Sequence, residues 1–187
     1  MSKKRVCIAV LCATLFIVLM ASFGACCCKG SVKNERGEED CGIVFKRIGV
    51  VHSPYTSGKK APRQGKLAPD VESLIVMEPG YETGLKDIET FSHIIVFYVF
   101  DRVSGWDLLV QTPWDKKRHG VFATRTPRRP NPIGFTVVKL VKHSGSNLYV
   151  RGLDALDGTP VIDLKPYIPR FDAFEDASEG WLGGKGK

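Results

Sequence analysis

The chain has 187 residues, 25% charged and 43% hydrophobic, ample for one globular domain with its own core and unlike a disordered, collagenous or coiled-coil chain. Its 27 Lys and Arg against 20 Asp and Glu leave a net charge of +7, a balance that suits a polyanionic partner. All six cysteines (Cys7, Cys12, Cys26, Cys27, Cys28, Cys41) precede Gly42, so beyond that point disulfides, thiolate nucleophiles and thiolate metal sites are excluded.

Lys3-Lys4-Arg5 opens a charge-free apolar run from Val6 to Cys28, long enough to cross a bilayer, which takes roughly 20 residues. Four readings stay open: an uncleaved anchor, a signal peptide ending near Ala25, a lipoprotein signal with Cys26 as the lipidated residue, or a start of translation nearer Val44. If retained, residues 6–28 imply contact with a membrane. Lys29 to Asp40 is a polar linker, so residues 1–41 are expected to stand apart from a domain over 42–170, followed by a flexible Gly/Lys tail over 171–187. The first forty residues hold six basic and four acidic residues, so most of the positive excess lies beyond Asp40.

Within the domain, runs of β-branched and aromatic residues bounded by Gly, Pro, Asn or Asp predict strands at Ile43–His52, Ser73–Met77, Ser92–Phe100, Gly120–Thr124, Phe135–Lys142, Leu148–Leu153 and Val161–Leu164. The nearly continuous apolar run SHIIVFYVF predicts a central strand buried on both faces. Ser144-Gly145-Ser146-Asn147 has hairpin-turn chemistry. Tyr81–Thr90 is the one stretch that suits a short helix. About seven short strands with a single short helix predict an all-β fold, a small barrel rather than a βαβ sheet.

The familiar nucleotide and hydrolase signatures are absent: no G-x-G-x-x-G, no P-loop, no G-x-S-x-G. The four histidines fall at no metal-ligand spacing, so no metal is expected. Chemistry concentrates in two segments. Gly120–Gly134, GVFATRTPRRPNPIG, continues the basic Lys116-Lys117-Arg118, and between Lys116 and Gly134 there are six basic residues and no acid. Arg128 and Arg129, with Asn131, sit between prolines that fix φ, and planar guanidinium forks on a stiff turn suit phosphate or carboxylate. Asp154–Pro169, DALDGTPVIDLKPYIP, gathers Asp154, Asp157, Asp163, Lys165 and Tyr167 around one strand and its preceding turn. Asp157-Gly158 is an ordinary turn pair, and Asp163 with Lys165 is equally a plain surface ion pair.

Taken in order, IGVVHSPY (Ile48–Tyr55), PRQG (Pro62–Gly65), GL…FSHIIVFYVFDR (Gly84–Arg102), GVFATRTPRRPNPIG and DGTPVIDLKPYIP resemble the TrmO/TsaA family of tRNA (adenine-N6)-methyltransferases, over about Ile43 to Pro169. The resemblance implies a β-barrel working as a homodimer, with S-adenosylmethionine in a cleft near the subunit interface. It implies as substrate the threonylcarbamoyl-bearing adenosine 3′ of the anticodon in a threonine tRNA. By motif, the cofactor would be lined by Pro62, Arg63, Gln64, His93, Ile94, Arg125, Phe135 and the turn Asp154, Ala155, Leu156, Asp157. Arg128, Arg129 and Asn131 would meet the RNA, and Asp157, Asp163 or Tyr167 would accept the proton released on methyl transfer. The tRNA places the domain in the cytoplasm, whereas the apolar amino-terminal run departs from the family pattern and pulls toward a membrane.

Overall fold

A computed structural model describes residues 43–185, with the backbone of Val32–Lys33 and Glu39–Asp40, which form a small two-stranded ladder in a separate unit. The apolar run Val6–Cys28 lies outside the described residues. Among those described, no helix is long and apolar enough to cross a membrane.

Among its described residues the larger unit has eight strands: β1 (Gly49–His52), β2 (Glu72–Met77), β3 (His93–Val99), β4 (Leu109–Thr112), β5 (Asp115–Gly120), β6 (Ile133–Ser144), β7 (Asn147–Arg151) and β8 (Pro160–Pro166). Six close a barrel in the order β8-β1-β2-β7-β6-β3, and β4 with β5 makes a separate hairpin. Every barrel pairing is antiparallel. The all-β barrel expected from the sequence is therefore present, with six strands in its wall.

Alternation builds the core. Val51, Ile75, Ile94, Val96, Leu148, Val150 and Val161 are each fully buried, and each such side chain contributes about 1.5–3 kcal/mol of burial. β3 alternates strictly, with Ile94, Val96 and Tyr98 inside and His93, Ile95, Phe97 and Val99 on the outer surface. The expectation of burial on both faces fails because a barrel of this size has one interior; the outward residues are covered only in part.

Other differences have equally local causes. Ile43, Val44 and Phe45 stand 81%, 84% and 56% exposed, because backbone pairing of this segment begins only at Ile48. The expected helix over Tyr81–Thr90 is two 3-10 turns, Glu82–Leu85 and Ile88–Thr90, interrupted where Asp87 takes a left-handed φ of 66°. Gly120–Thr124 is not a strand: Val121–Ala123 is a 3-10 turn, and the strand lies before it. The charged run Asp115–Arg118 pairs with Leu109–Thr112 across a two-residue Pro113-Trp114 connection. The turn at Gly145-Ser146 joins β6 to β7 as its chemistry indicated. Residues expected as a loose tail carry a helical turn at Pro169–Asp172 and a 3-10 turn at Gly180–Leu182, and Trp181 stacks on His119.

Candidate functional site

The antiparallel order gathers three loops at one end of the barrel: 53–71 after β1, 100–132 after β3, and 152–159 after β7. Most of the motif residues singled out in the sequence meet there.

The centre is Asp154. Its Oδ1 accepts from the Tyr98 hydroxyl at 3.1 Å and from the Thr136 hydroxyl, the two hydroxyls lying 3.2 Å apart. Tyr98 and Thr136 point inward from paired strands, and their positions follow from register: Tyr98 faces Gly134, and Thr136 is the next inward residue of β6. A Cβ at Gly134 would stand 2.4 Å from the Tyr98 ring, so the glycine of the Pro132-Ile133-Gly134 motif makes room for that ring. Burial first, and the Asp154 charge second, push the Tyr98 hydroxyl well above its ordinary value, keeping it a proton donor. Tyr55, also buried, is raised by the same two causes, and its hydroxyl has no hydrogen-bond partner among the described residues.

Removing the acceptor leaves two interior hydroxyls with only each other. Asp154→Ala is expected to cost about 1–3 kcal/mol in denaturant unfolding, with Asp154→Asn restoring most of it. Because the folded Tyr98 value is raised above its unfolded value of 10.0, its contribution is complete below that pH and lost as pH climbs beyond it. Melts of the wild type should therefore soften above pH 10.0, and unchanged melting across that range would show the tyrosine to be unconstrained.

Around this centre lie the flanking motifs. Arg125 Nη1 donates to Gln64 Oε1 at 2.7 Å, and its guanidinium stands 5.2 Å from the centre of the Phe135 ring, which is 47% exposed. Arg63 lies over the Trp114 ring at 4.9 Å. Asp157 Oδ1 accepts from the Ser53 amide at 3.2 Å and lies 3.6 Å from His52 Nδ1, while Ser53 Oγ donates to Ala155 O at 2.8 Å. Arg102 donates to the Asp157 carbonyl. An open groove of about 410 Å³ borders this carboxylate, lined by His52, Ser53, Glu72, Tyr149 and Asp157 among others.

The remaining candidates separate. Ile94 points into the core and Ala155 is equally buried, so neither offers its side chain to a ligand. Leu156 is half-buried in the turn between Ala155 and Asp157. His93 begins β3, the opposite end of that strand from Val99; Tyr167 donates its amide to the His93 carbonyl, and their rings meet edge to face at 6.5 Å. Asp163 is paired to Lys165 at 2.8 Å and lines a hollow of about 290 Å³ with Leu85 and Pro166. Of the three proposed proton acceptors, Asp157 alone sits among the Asp154, Gln64 and Arg125 loops. Arg128 and Asn131 stay at the surface of the proline-stiffened turn, whereas half-buried Arg129 donates to the Thr124 carbonyl at 3.1 Å and ties that turn down. Sequence reading did not find Tyr98, Thr136 or Ser53 as parts of the site; for Tyr98 and Thr136 the available signal was a polar residue at inward register in an otherwise apolar strand, whereas Ser53, in the loop after β1, carried none.

Comparison with known proteins finds relatives of the whole barrel unit. A family model described as the tRNA-methyltransferase O N-terminal domain matches residues 50–173. A probable S-adenosyl-L-methionine-binding protein of Pyrococcus abyssi is 49% identical over 140 residues, 75% of this chain and 76% of that one. The tRNA (adenine(37)-N6)-methyltransferase of Escherichia coli is 38% identical over 147 residues, 73% of this chain and 63% of the enzyme. The crystal structure of TrmO from Pseudomonas aeruginosa superposes with a TM-score of 0.67 at 33% identity, covering 78% of this chain and 65% of that one. The chain thus spans less than two thirds of the two bacterial relatives and about three quarters of the archaeal one.

Proposed function

We propose, from the premise that this chain belongs to the tRNA-methyltransferase O family, that it methylates N6 of an adenine in tRNA with S-adenosylmethionine as donor. The finer reading is that this adenine is the threonylcarbamoyladenosine beside the anticodon of a threonine tRNA. The observation that carries the proposal is the convergence of the Pro62–Gln64 loop, Arg125 and the Asp154–Asp157 turn at one end of the barrel. These residues suit the cofactor. Asp154 is held by its Oδ1 alone in the Tyr98–Thr136 pair, and the Tyr55 hydroxyl is buried without a partner among the described residues. Asp154 Oδ2 and Tyr55 would take hydroxyl or amine hydrogens, and Arg125 the cofactor's carboxylate.

When bound, S-adenosylmethionine supplies an electrophilic methyl group on a sulfonium. The chain supplies position and a proton acceptor. Arg125, fixed by Gln64 and Phe135, orients the carboxylate end, so that reacting atoms are aligned before attack. With the donor held there, its methyl group would pass to N6, S-adenosylhomocysteine would be the product that leaves, and the N6 proton would remain for a residue of this chain to remove. Asp157, already engaged through Oδ1 with Ser53, offers Oδ2 to it, with His52 and bulk water at hand to carry it away. Neither step needs a protein nucleophile, in keeping with a domain that has no cysteine after Cys41.

A homodimer is part of the same proposal. Ile95, Phe97 and Val99 of β3 and Phe135 and Val137 of β6 form an apolar outer strip beside Arg125 that a second copy would cover. The RNA substrate would place the domain in the cytoplasm; a membrane role for residues 6–28 would tether it there. The test is direct. Full-length protein should bind S-adenosylmethionine by calorimetry and methylate threonine tRNA carrying threonylcarbamoyladenosine, with mass spectrometry of the nucleosides as readout. Asp154→Asn is expected to weaken cofactor binding ten-fold or more, the scale of a hydrogen bond to a charged group. A folded protein that binds tRNA and no cofactor would turn the reading into that of an RNA-binding module.

A further inference from the structure

The hairpin β4–β5 stands outside the barrel as a two-stranded sheet, and an isolated two-stranded hairpin is marginal in water. One of its faces is closed by the segment after β8. Trp181 stacks on His119 with ring centres 3.9 Å apart and planes 16° from parallel. The indole Nε1–H donates to the Ala123 carbonyl at 2.8 Å. Lys185 pairs with Asp115, whose other oxygen accepts the Lys117 amide at 3.0 Å. The strap therefore grips the start of β5 at Asp115, its far end at His119, and Ala123 of the 3-10 turn, two residues before Arg125.

What it grips is the strand that carries the basic run. Lys116, Lys117 and Arg118 are carried on β5, and the 3-10 turn leads straight into Arg125 and the turn of Arg128. The match to the family model ends at residue 173, ahead of Trp181. We infer that Trp181 is a positioning residue for RNA: by covering the inner face of β4–β5 it holds the basic edge and the arginine turn in one arrangement against the tRNA backbone. The inference rests on the function proposed for the barrel site. Its physical basis is pre-organisation: ordering charged side chains before encounter spares the complex that cost.

The experiment uses the full chain, wild type, Trp181→Ala and Trp181→Phe, with two readouts. Amide hydrogen exchange without ligand reports the hairpin directly. Trp181→Ala should lose protection in 109–124 while the barrel strands keep theirs, and Trp181→Phe, which retains a ring over His119, should recover part of it. Methylation of threonine tRNA carrying threonylcarbamoyladenosine reports the consequence. Loss of one stack and one hydrogen bond should raise KM for tRNA about ten-fold in Trp181→Ala, with kcat and cofactor affinity within about two-fold, since Arg125 keeps its own hold on Gln64. Unchanged exchange and KM would overturn the inference, as would protection lost uniformly through the barrel, which makes Trp181 a general stability residue. A wild type that binds no cofactor and methylates nothing would remove the proposed function instead, with the exchange result still deciding whether Trp181 orders the hairpin.

Discussion

Gly65→Ala should cost about 3 kcal/mol or more of folding stability and abolish cofactor binding in whatever fraction folds. The methyl group would sit 1.9 Å from the Gly152 carbonyl oxygen and 2.9 Å from Thr136 Cγ2. The first neighbour is backbone and cannot rotate away. Here the Pro62–Leu67 loop crosses the chain leaving β7 with nothing between them, so a side chain must push one loop off the other. Both loops carry the site: Gln64, next to the substituted residue, holds Arg125, and Asp154, two residues after Gly152, is bonded to Tyr98 and Thr136. Gly58→Ala is the control, because a Cβ there meets nothing within 4 Å; it should stay within about 0.5 kcal/mol of wild type. Chemical denaturation of both variants with cofactor calorimetry decides the matter. Equal stability of the two would mean that the loops do not cross in contact.

The contrast between these glycines shows which features the sequence makes legible. Gly65 and Gly58 look alike in a string, and only the crossing of two loops far apart in sequence tells them apart. Strands that are runs of β-branched and apolar residues bounded by turn formers, such as Ser73–Met77 and Phe135–Lys142, were legible from composition, while which side chains face the core emerged only from their pairing. Asp115–Gly120 was not, because it carries three consecutive cations and its inner face is closed by Trp181, more than sixty residues later. The motif Asp154–Asp157 and the segment around Arg125 announced themselves by composition. Their shared anchor did not, since Tyr98 reaches Asp154 across 56 residues and Thr136 across 18. Conversely, Asp163 and Tyr167 share a motif with Asp157 yet belong elsewhere: an extended strand carries its two ends about 3.3 Å apart per residue, and β8 takes them away from the loops that meet at Asp157.

The three arginines of the basic turn should separate into three phenotypes. Arg125→Ala should weaken S-adenosylmethionine binding ten-fold or more and leave tRNA binding nearly intact, a charged hydrogen bond being worth about 1.5–3 kcal/mol. The warrant is its place beside Gln64 and Phe135, at the barrel end that also carries the Asp154 loop. Arg128→Ala should do the reverse. Its side chain lies at the surface of a turn stiffened by Pro127 and Pro130, so it is placed to meet phosphate, and its loss should reduce the salt slope of tRNA binding by about one unit. Arg129 behaves as neither, although composition alone pairs it with Arg128. Its bond to the Thr124 carbonyl closes the turn on itself, so Arg129→Ala should lower both affinities together without changing the salt slope, because the turn that carries Arg125 and Arg128 loses its shape. Arg129→Lys, with one point charge in place of a planar fork, should not restore it. Titrations of cofactor and of tRNA across a salt series, on all three alanine variants, test the division. If Arg129→Ala flattened the salt slope as Arg128→Ala does while sparing the cofactor, it would be a phosphate contact after all, and the closed turn would not be what orders the site.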